Sequence, residues 1–139
     1  MSGTFEDLKA WRLAMDLVVA VYAQTQVWPK DERYGLTTQL RRAAVSIPSN
    51  IAEGKGRASE RDFAEFLNYA RGSVYEVQTQ LKIARRLDYL SANTANAMDH
   101  QAAEVGRVLN GLIRVIQGMT RREGEPEDAL CPETRKPEA

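Results

Sequence analysis

This 139-residue chain carries only one histidine, His100, and one cysteine, Cys131. Together they fall short of the three or four Cys and His ligands of a usual zinc site. A Ser-His-Asp or Cys-His arrangement would have to use His100, and no nucleophile motif accompanies it. His100 falls opposite the apolar row of its predicted helix and reads as a solvated surface residue. Cys131 lies in a polar tail and can form no internal disulfide. The segment Gly54-Lys55-Gly56 lacks the Gly-x-x-x-x-Gly-Lys-Ser/Thr pattern and preceding strand of a phosphate loop. Glu53 and Glu76 read as backbone or helix–helix partners rather than acid–base groups. These residues predict a non-enzyme with no cofactor and no metal.

The cationic residues point to binding instead. Arg71, Tyr75, Gln78, Lys82 and Arg85 recur at spacings of 4, 3, 4 and 3, with Arg86 beside them. With Arg41, Arg42, Lys55, Arg57 and Arg61 they are expected to form one basic surface, the electrostatic footprint of nucleic-acid binding. Tyr75 offers a stacking face for an unpaired base. The alternative is a protein–protein scaffold whose arginines serve solvated faces and intersubunit ion pairs. Formal net charge is zero, yet residues 33–86 hold ten Lys or Arg against five Asp or Glu, a local balance of +5. Residues 121–139 hold four basic and six acidic residues, a balance of −2. An oligomer would multiply the basic middle.

Four helical segments are expected to position these groups. Over 6–27, Leu8, Trp11, Met15, Val18 and Tyr22 recur at helical spacing and predict the inner face. Thr4 is the expected N-cap, with Asp7 three residues on. Over 34–53, Leu36, Leu40, Ala43, Ile47 and Ile51 share a face. Pro48 lies deep in this segment, where it removes a backbone hydrogen bond and predicts a bend. Ser46, Ser49, Asn50 and Glu53 surround it and can serve the freed backbone groups. Gly54 and Gly56 are expected to supply a stop and a flexible link.

The third segment starts at the N-cap Ser59, with Phe63, Leu67, Ala70, Val74, Val77, Leu81 and Ala84 as its inner row. A turn is expected over 88–93. The fourth segment, 94–119, repeats the rhythm in Met98, Ala102, Val105, Leu109, Leu112, Ile116 and Met119. Its glycines, Gly106, Gly111 and Gly118, suggest close helix approach.

No segment alternates like a strand. Short links between four similar helices predict an all-α, antiparallel up-down-up-down four-helix bundle with a proline-bent second helix over 1–120. Residues 121–139, proline-rich and charged, predict a disordered polar tail. The N-terminus lacks a signal-peptide apolar region, and no run of about 18 apolar residues exists, so a cytoplasmic location is expected. The first and third helices carry further apolar residues away from their inner rows, namely Leu13, Leu17, Val21 and Tyr69, Ile83, Leu87. These predict a homo-oligomer interface.

The stretches FEDLKAWRLAMDLV, YGLTTQLRRAAVSIPSNIAEGKGR, FAEFLNYARGSVYEVQTQL and LDYLS resemble the bacterial four-helix-bundle family found in intervening sequences of 23S ribosomal RNA genes. That family includes the accessory variability determinant proteins of diversity-generating retroelements. The resemblance spans about residues 5–119, with 39–54 the most specific part. It implies an antiparallel bundle assembled as a ring-shaped homopentamer with a basic surface. In the retroelement branch it implies contact with nucleic acid and a reverse transcriptase. Arg41, Arg42, Lys55 and Arg57 fall within the matching motif, whereas Arg71, Lys82, Arg85 and Arg86 are this chain's own basic row.

Overall fold

The computed structural model describes residues 3–124, with side chains described through 120. Four helices, α1 (Lys9–Thr25), α2 (Leu36–Lys55), α3 (Glu60–Arg86) and α4 (Ala92–Gly124), make up the fold, with short 3-10 turns at Phe5–Asp7 and Lys30–Glu32. No strand occurs among the described residues. α4 continues to Gly124, past the expected boundary at 120. The rest of the expected tail lies outside the described residues.

Local chemistry sets the helix ends. The Thr4 N–H donates to Asp7 Oδ2 at 3.1 Å, closing a 3-10 turn ahead of α1 rather than starting the helix itself. The Leu36 N–H, an orphan donor at the start of α2, donates to Glu32 Oε1 at 2.9 Å. Ser59 caps α3 by accepting from the Asp62 N–H at 3.1 Å, as expected. At the other end of α3, Asp88 takes the left-handed conformation at φ 64°. The Tyr89 N–H then reaches the Ala84 carbonyl at 2.9 Å and the Asp88 N–H reaches Arg85 at 3.1 Å. This is the Schellman arrangement, with Asp in the usual glycine position. Ser91 accepts from the Thr94 N–H at 3.1 Å and starts α4.

Each helix packs on its sequence neighbour, and α1 also packs on α4, whereas the backbones of α1 and α3, and of α2 and α4, stand farther apart. The helices therefore occupy the corners of a four-cornered bundle. Ser46 meets Ser73, and Gly54 lies against Phe63 and Phe66, so α2 and α3 run antiparallel. Arg71 with Asn110, Val74 with Gly106 and Gln78 with Asp99 give the same relation between α3 and α4.

All seven residues expected on the inner row of α3 are buried. On α4, Met98, Ala102, Val105, Leu109 and Ile116 are buried, but Ile113 replaces the half-buried Leu112. α1 corrects the reading of its sequence. Its buried row is Ala10, Ala14, Leu17, Val21 and Thr25. Met15 and Tyr22, expected inside, are 38% and 40% exposed. Leu17 and Val21, expected at a subunit interface, are fully buried within one subunit, and Leu13 packs partly against the core. Periodicity alone does not distinguish two apolar rows on one helix. The row that includes two alanines wins because small side chains let α1 sit close to its neighbours.

α2 remains helical past the buried Pro48. Asn50 Nδ2 donates to both the carbonyl and the Oγ of Ser46 at 2.9 Å, and Ser46 Oγ shares a hydrogen bond with Ser73 Oγ at 2.7 Å. Gly54 does not stop the helix. It is buried one residue before the end, and Gly56 caps it. A Cβ at Gly54 would stand 2.7 Å from Phe66 Cβ and 3.1 Å from Phe63 Cδ1. The expected close approach at Gly111 and Gly118 is absent, since a Cβ there meets nothing within 4 Å, and at Gly106 it meets Val74 at an ordinary 3.5 Å.

Urea unfolding separates these roles. Gly54→Ala gains about 1 kcal/mol in helix propensity but loses about 1–3 kcal/mol to overpacking against side-chain atoms fixed to the α3 backbone, and is expected to destabilise. Gly111→Ala has only the propensity gain and is expected to raise stability by up to about 1 kcal/mol. A stabilised Gly54→Ala protein would contradict the tight α2–α3 seam.

Candidate nucleic-acid interface

The candidate cations do not form one surface. Lys55 and Arg57 sit at the α2–α3 turn, where Lys55 Nζ lies 6.0 Å from the Phe63 ring centre and Arg57 Cζ 4.6 Å from that of Phe66. Arg57 also pairs with Glu53 at 2.9 Å. Lys82, Arg85 and Arg86 stand at the opposite end of α3, in a cleft of about 240 Å³ shared with Ala95, Asn96 and Asp99 of α4. Arg61 and Arg85 are 24 residues apart on α3, roughly 36 Å at 1.5 Å per residue. That exceeds the ~8 Å screening length at physiological salt several times over, so the two ends do not act as one electrostatic patch.

The remaining cations line three different grooves. Arg71 donates to Asn110 at 3.1 Å and Asn68 at 2.7 Å between α3 and α4. Arg42 shares the α2–α3 groove with Gln39, Ser46, Glu76 and Gln80. Arg41 turns to α1, donating from Nε to Thr25 Oγ1 at 2.8 Å with its Cζ 4.5 Å from the Tyr22 ring centre. Tyr75 is 59% exposed. It lines a groove with Gln39, Glu76 and Ile83 rather than with the α3–α4 cations.

Carboxylates offset part of the charge. Lys82 meets Asp99 at 3.5 Å and Arg85 meets Asp88 at 3.2 Å. Both pairs are exposed, and such pairs contribute little to stability. Arg41, Arg42, Arg71 and Arg86 have no ion pair among the described residues.

The apolar side of the candidate interface is partly retained. Tyr69, Ile83 and Leu87 are exposed on α3, at 52%, 43% and 49%. On α1 the exposed row is Met15, Val19 and Tyr22 instead of Leu13, Leu17 and Val21. The former were hidden in the sequence because two of them fit equally well on the inner face. Sequence reasoning also missed Lys30 and Arg33, which the turn after Pro29 brings beside Arg41. The run Lys-Asp-Glu-Arg carries equal charges of both signs, so composition gave no signal there.

Among the described residues, no group of three or more His, Cys, Asp or Glu is placed to hold a metal ion. No described helix is long and apolar enough to cross a membrane.

The described chain is thus an all-α four-helix protein with open cationic grooves and exposed apolar rows. It belongs to the 23S rRNA-intervening sequence protein family, which matches over residues 6–111. It is similar to the crystal structure of a protein with unknown function from the S23 ribosomal protein family of Bacteroides thetaiotaomicron, with 21% identity and a TM-score of 0.69. That similarity covers 76% of this chain and 95% of the other, and it shows a shared fold. No curated protein matches the chain.

One ionisable pair ties the α1–α2 link to the α3–α4 turn. Tyr89 OH donates to Glu32 Oε2 at 2.8 Å, while the Leu36 N–H binds Oε1. The Leu36 N–H, and then the Tyr89 hydroxyl, hold the Glu32 carboxyl below the usual carboxylate range. A lowered folded-state pKa stabilises the fold above the unfolded value, and that contribution disappears as pH falls through the folded value. In urea titrations, Glu32→Gln is expected to be less stable than the parent at neutral pH, with the difference closing in acid. A difference independent of pH would contradict the role of the charge.

Proposed function

We propose that this protein is a non-catalytic, cytoplasmic, homo-oligomeric scaffold, a pentamer as the family resemblance implies. It binds RNA or a ribonucleoprotein partner, such as a reverse transcriptase complex, through its cationic grooves. The observation that carries the reading is the pair of exposed apolar rows on α1 and α3, two helices whose backbones stand diagonally across the bundle. Rows at opposite corners suit a head-to-tail contact, α1 of one copy against α3 of the next. A heterologous contact of this kind closes into a ring when its rotation divides a full turn.

Details of α3 support its place in the contact. The exposed Gly72 has nothing within 4 Å of a would-be Cβ, although alanine would favour the helix. Thr79 donates its hydroxyl to the Tyr75 carbonyl at 2.8 Å, which satisfies the polar group within the helix. A ring then repeats every cationic groove once per subunit. Several grooves on one assembly can engage one polyanion together, which binds it more tightly than a single groove does.

Light scattering tests the assembly. Val19→Asp with Ile83→Asp is expected to reduce the mass to that of a single subunit while the helix content persists, because both residues are exposed. An unchanged mass would refute this interface. RNA anisotropy tests the ligand. Binding is expected to weaken steeply with salt, and the combined Arg41→Ala, Arg42→Ala, Lys55→Ala and Arg57→Ala variant is expected to bind less while keeping its mass. No binding to structured or single-stranded RNA at low salt would leave a protein–protein scaffold as the function.

A further inference from the structure

The junction of α1 and α2 encloses a pocket of about 280 Å³ lined by Thr25, Gln26, Trp28, Pro29, Lys30, Arg33, Thr37 and Arg41. Its lining holds three cations and no carboxylate. Of the two neighbouring acids, Glu32 is held by the Leu36 N–H and the Tyr89 hydroxyl, and neither Glu32 nor Asp31 lines the pocket. None of Lys30, Arg33 and Arg41 has an ion pair among the described residues.

Two features make this more than a cluster of surface charge. The Arg41 guanidinium is fixed in advance by its Nε bond to Thr25 and its position over the Tyr22 ring. Its two terminal nitrogens have no acceptor among the described residues, and they form a fork suited to two oxygens of one phosphate. Thr25 is itself anchored, donating to the Val21 carbonyl at 2.8 Å. The second feature is Trp28. The residue is 7% exposed and packs against Tyr89, with ring centres 5.5 Å apart, yet its Nε1 is buried with no hydrogen-bond partner. A buried donor without an acceptor is costly and rare, so a residue that lines this pocket carries an unmet polar group.

We propose that this pocket binds a phosphomonoester group. Arg41 would grip the phosphate, Lys30 and Arg33 would balance its charge, and the Trp28 ring would form part of the wall. The site requires no RNA-binding activity, so it stands or falls separately from the proposed function. A free nucleotide and the 5′ end of an RNA strand share the required chemistry.

The test follows the two indole N–H resonances by NMR, assigned with Trp11→Phe, during titration of the full chain at low salt. The probes are inorganic phosphate, adenosine monophosphate, and a short RNA with either a 5′-phosphate or a 5′-hydroxyl. The Trp28 resonance is expected to move saturably with inorganic phosphate, and Trp11 to move little. Lys30→Ala with Arg33→Ala is expected to weaken binding about tenfold or more without lowering the melting temperature, since both side chains are exposed. Tighter binding of the 5′-phosphorylated RNA than of the nucleotide supports an RNA end as the ligand, and the reverse supports a free nucleotide. No saturable Trp28 shift with any phosphate probe, or unchanged affinity in the double variant, would overturn the proposal.

Discussion

The close approach of α2 to α3 is the constraint on which the rest of the structure depends. Gly54 brings the α2 backbone against Phe63 and Phe66, and no larger residue fits without moving α3. About two turns earlier, Ser46, Asn50 and Ser73 close a polar contact in the same seam. Hydrogen-bonded polar groups at a helix interface favour one register, because sliding would leave them unpaired. Pro48 lies between these two contacts, so the segment that sacrifices a backbone hydrogen bond is the one most firmly held by its neighbour. The same approach places Lys55 and Arg57 over phenylalanine rings, where their stems cover apolar surface and their charges stay at the edge.

With that seam set, the remaining helices complete a bundle in which α1 and α3 stand at opposite corners. This separation has two consequences. Apolar residues left over on both helices are uncovered among the described residues, and neither row can cover the other. Cations distributed along α2 and α3 likewise fall into different grooves and at different ends. The grooves suit a ligand that runs along or around an assembly better than one enclosed in a single cavity.

Legibility in the sequence followed the number of apolar rows per helix. α3 has one dominant row, and every expected inner residue is buried. α1 has two, and the row with larger side chains looked stronger than Ala10, Ala14, Leu17 and Val21, although close packing favours the latter. Gly54 read as a helix stop because its neighbour on α3 lies outside any local window. The basic residues were recognisable by type, but their grouping was not. Helical spacing assigns Arg41 and Arg42 to one helix, while tertiary packing sends one to α1 and the other to α3. Lys30, Arg33 and Arg41 come together only when the 3-10 turn folds back beside α2.

The head-to-tail relation between α1 and α3 is the central claim, and disulfide trapping tests it most directly. In a Cys131→Ser background, the Val19→Cys and Ile83→Cys changes would be introduced singly and together, then oxidised under non-reducing conditions. The account predicts a ladder of covalent oligomers from the double variant, and no ladder from either single variant. Efficient covalent dimers from one single variant would mean that like faces meet like, and would contradict it.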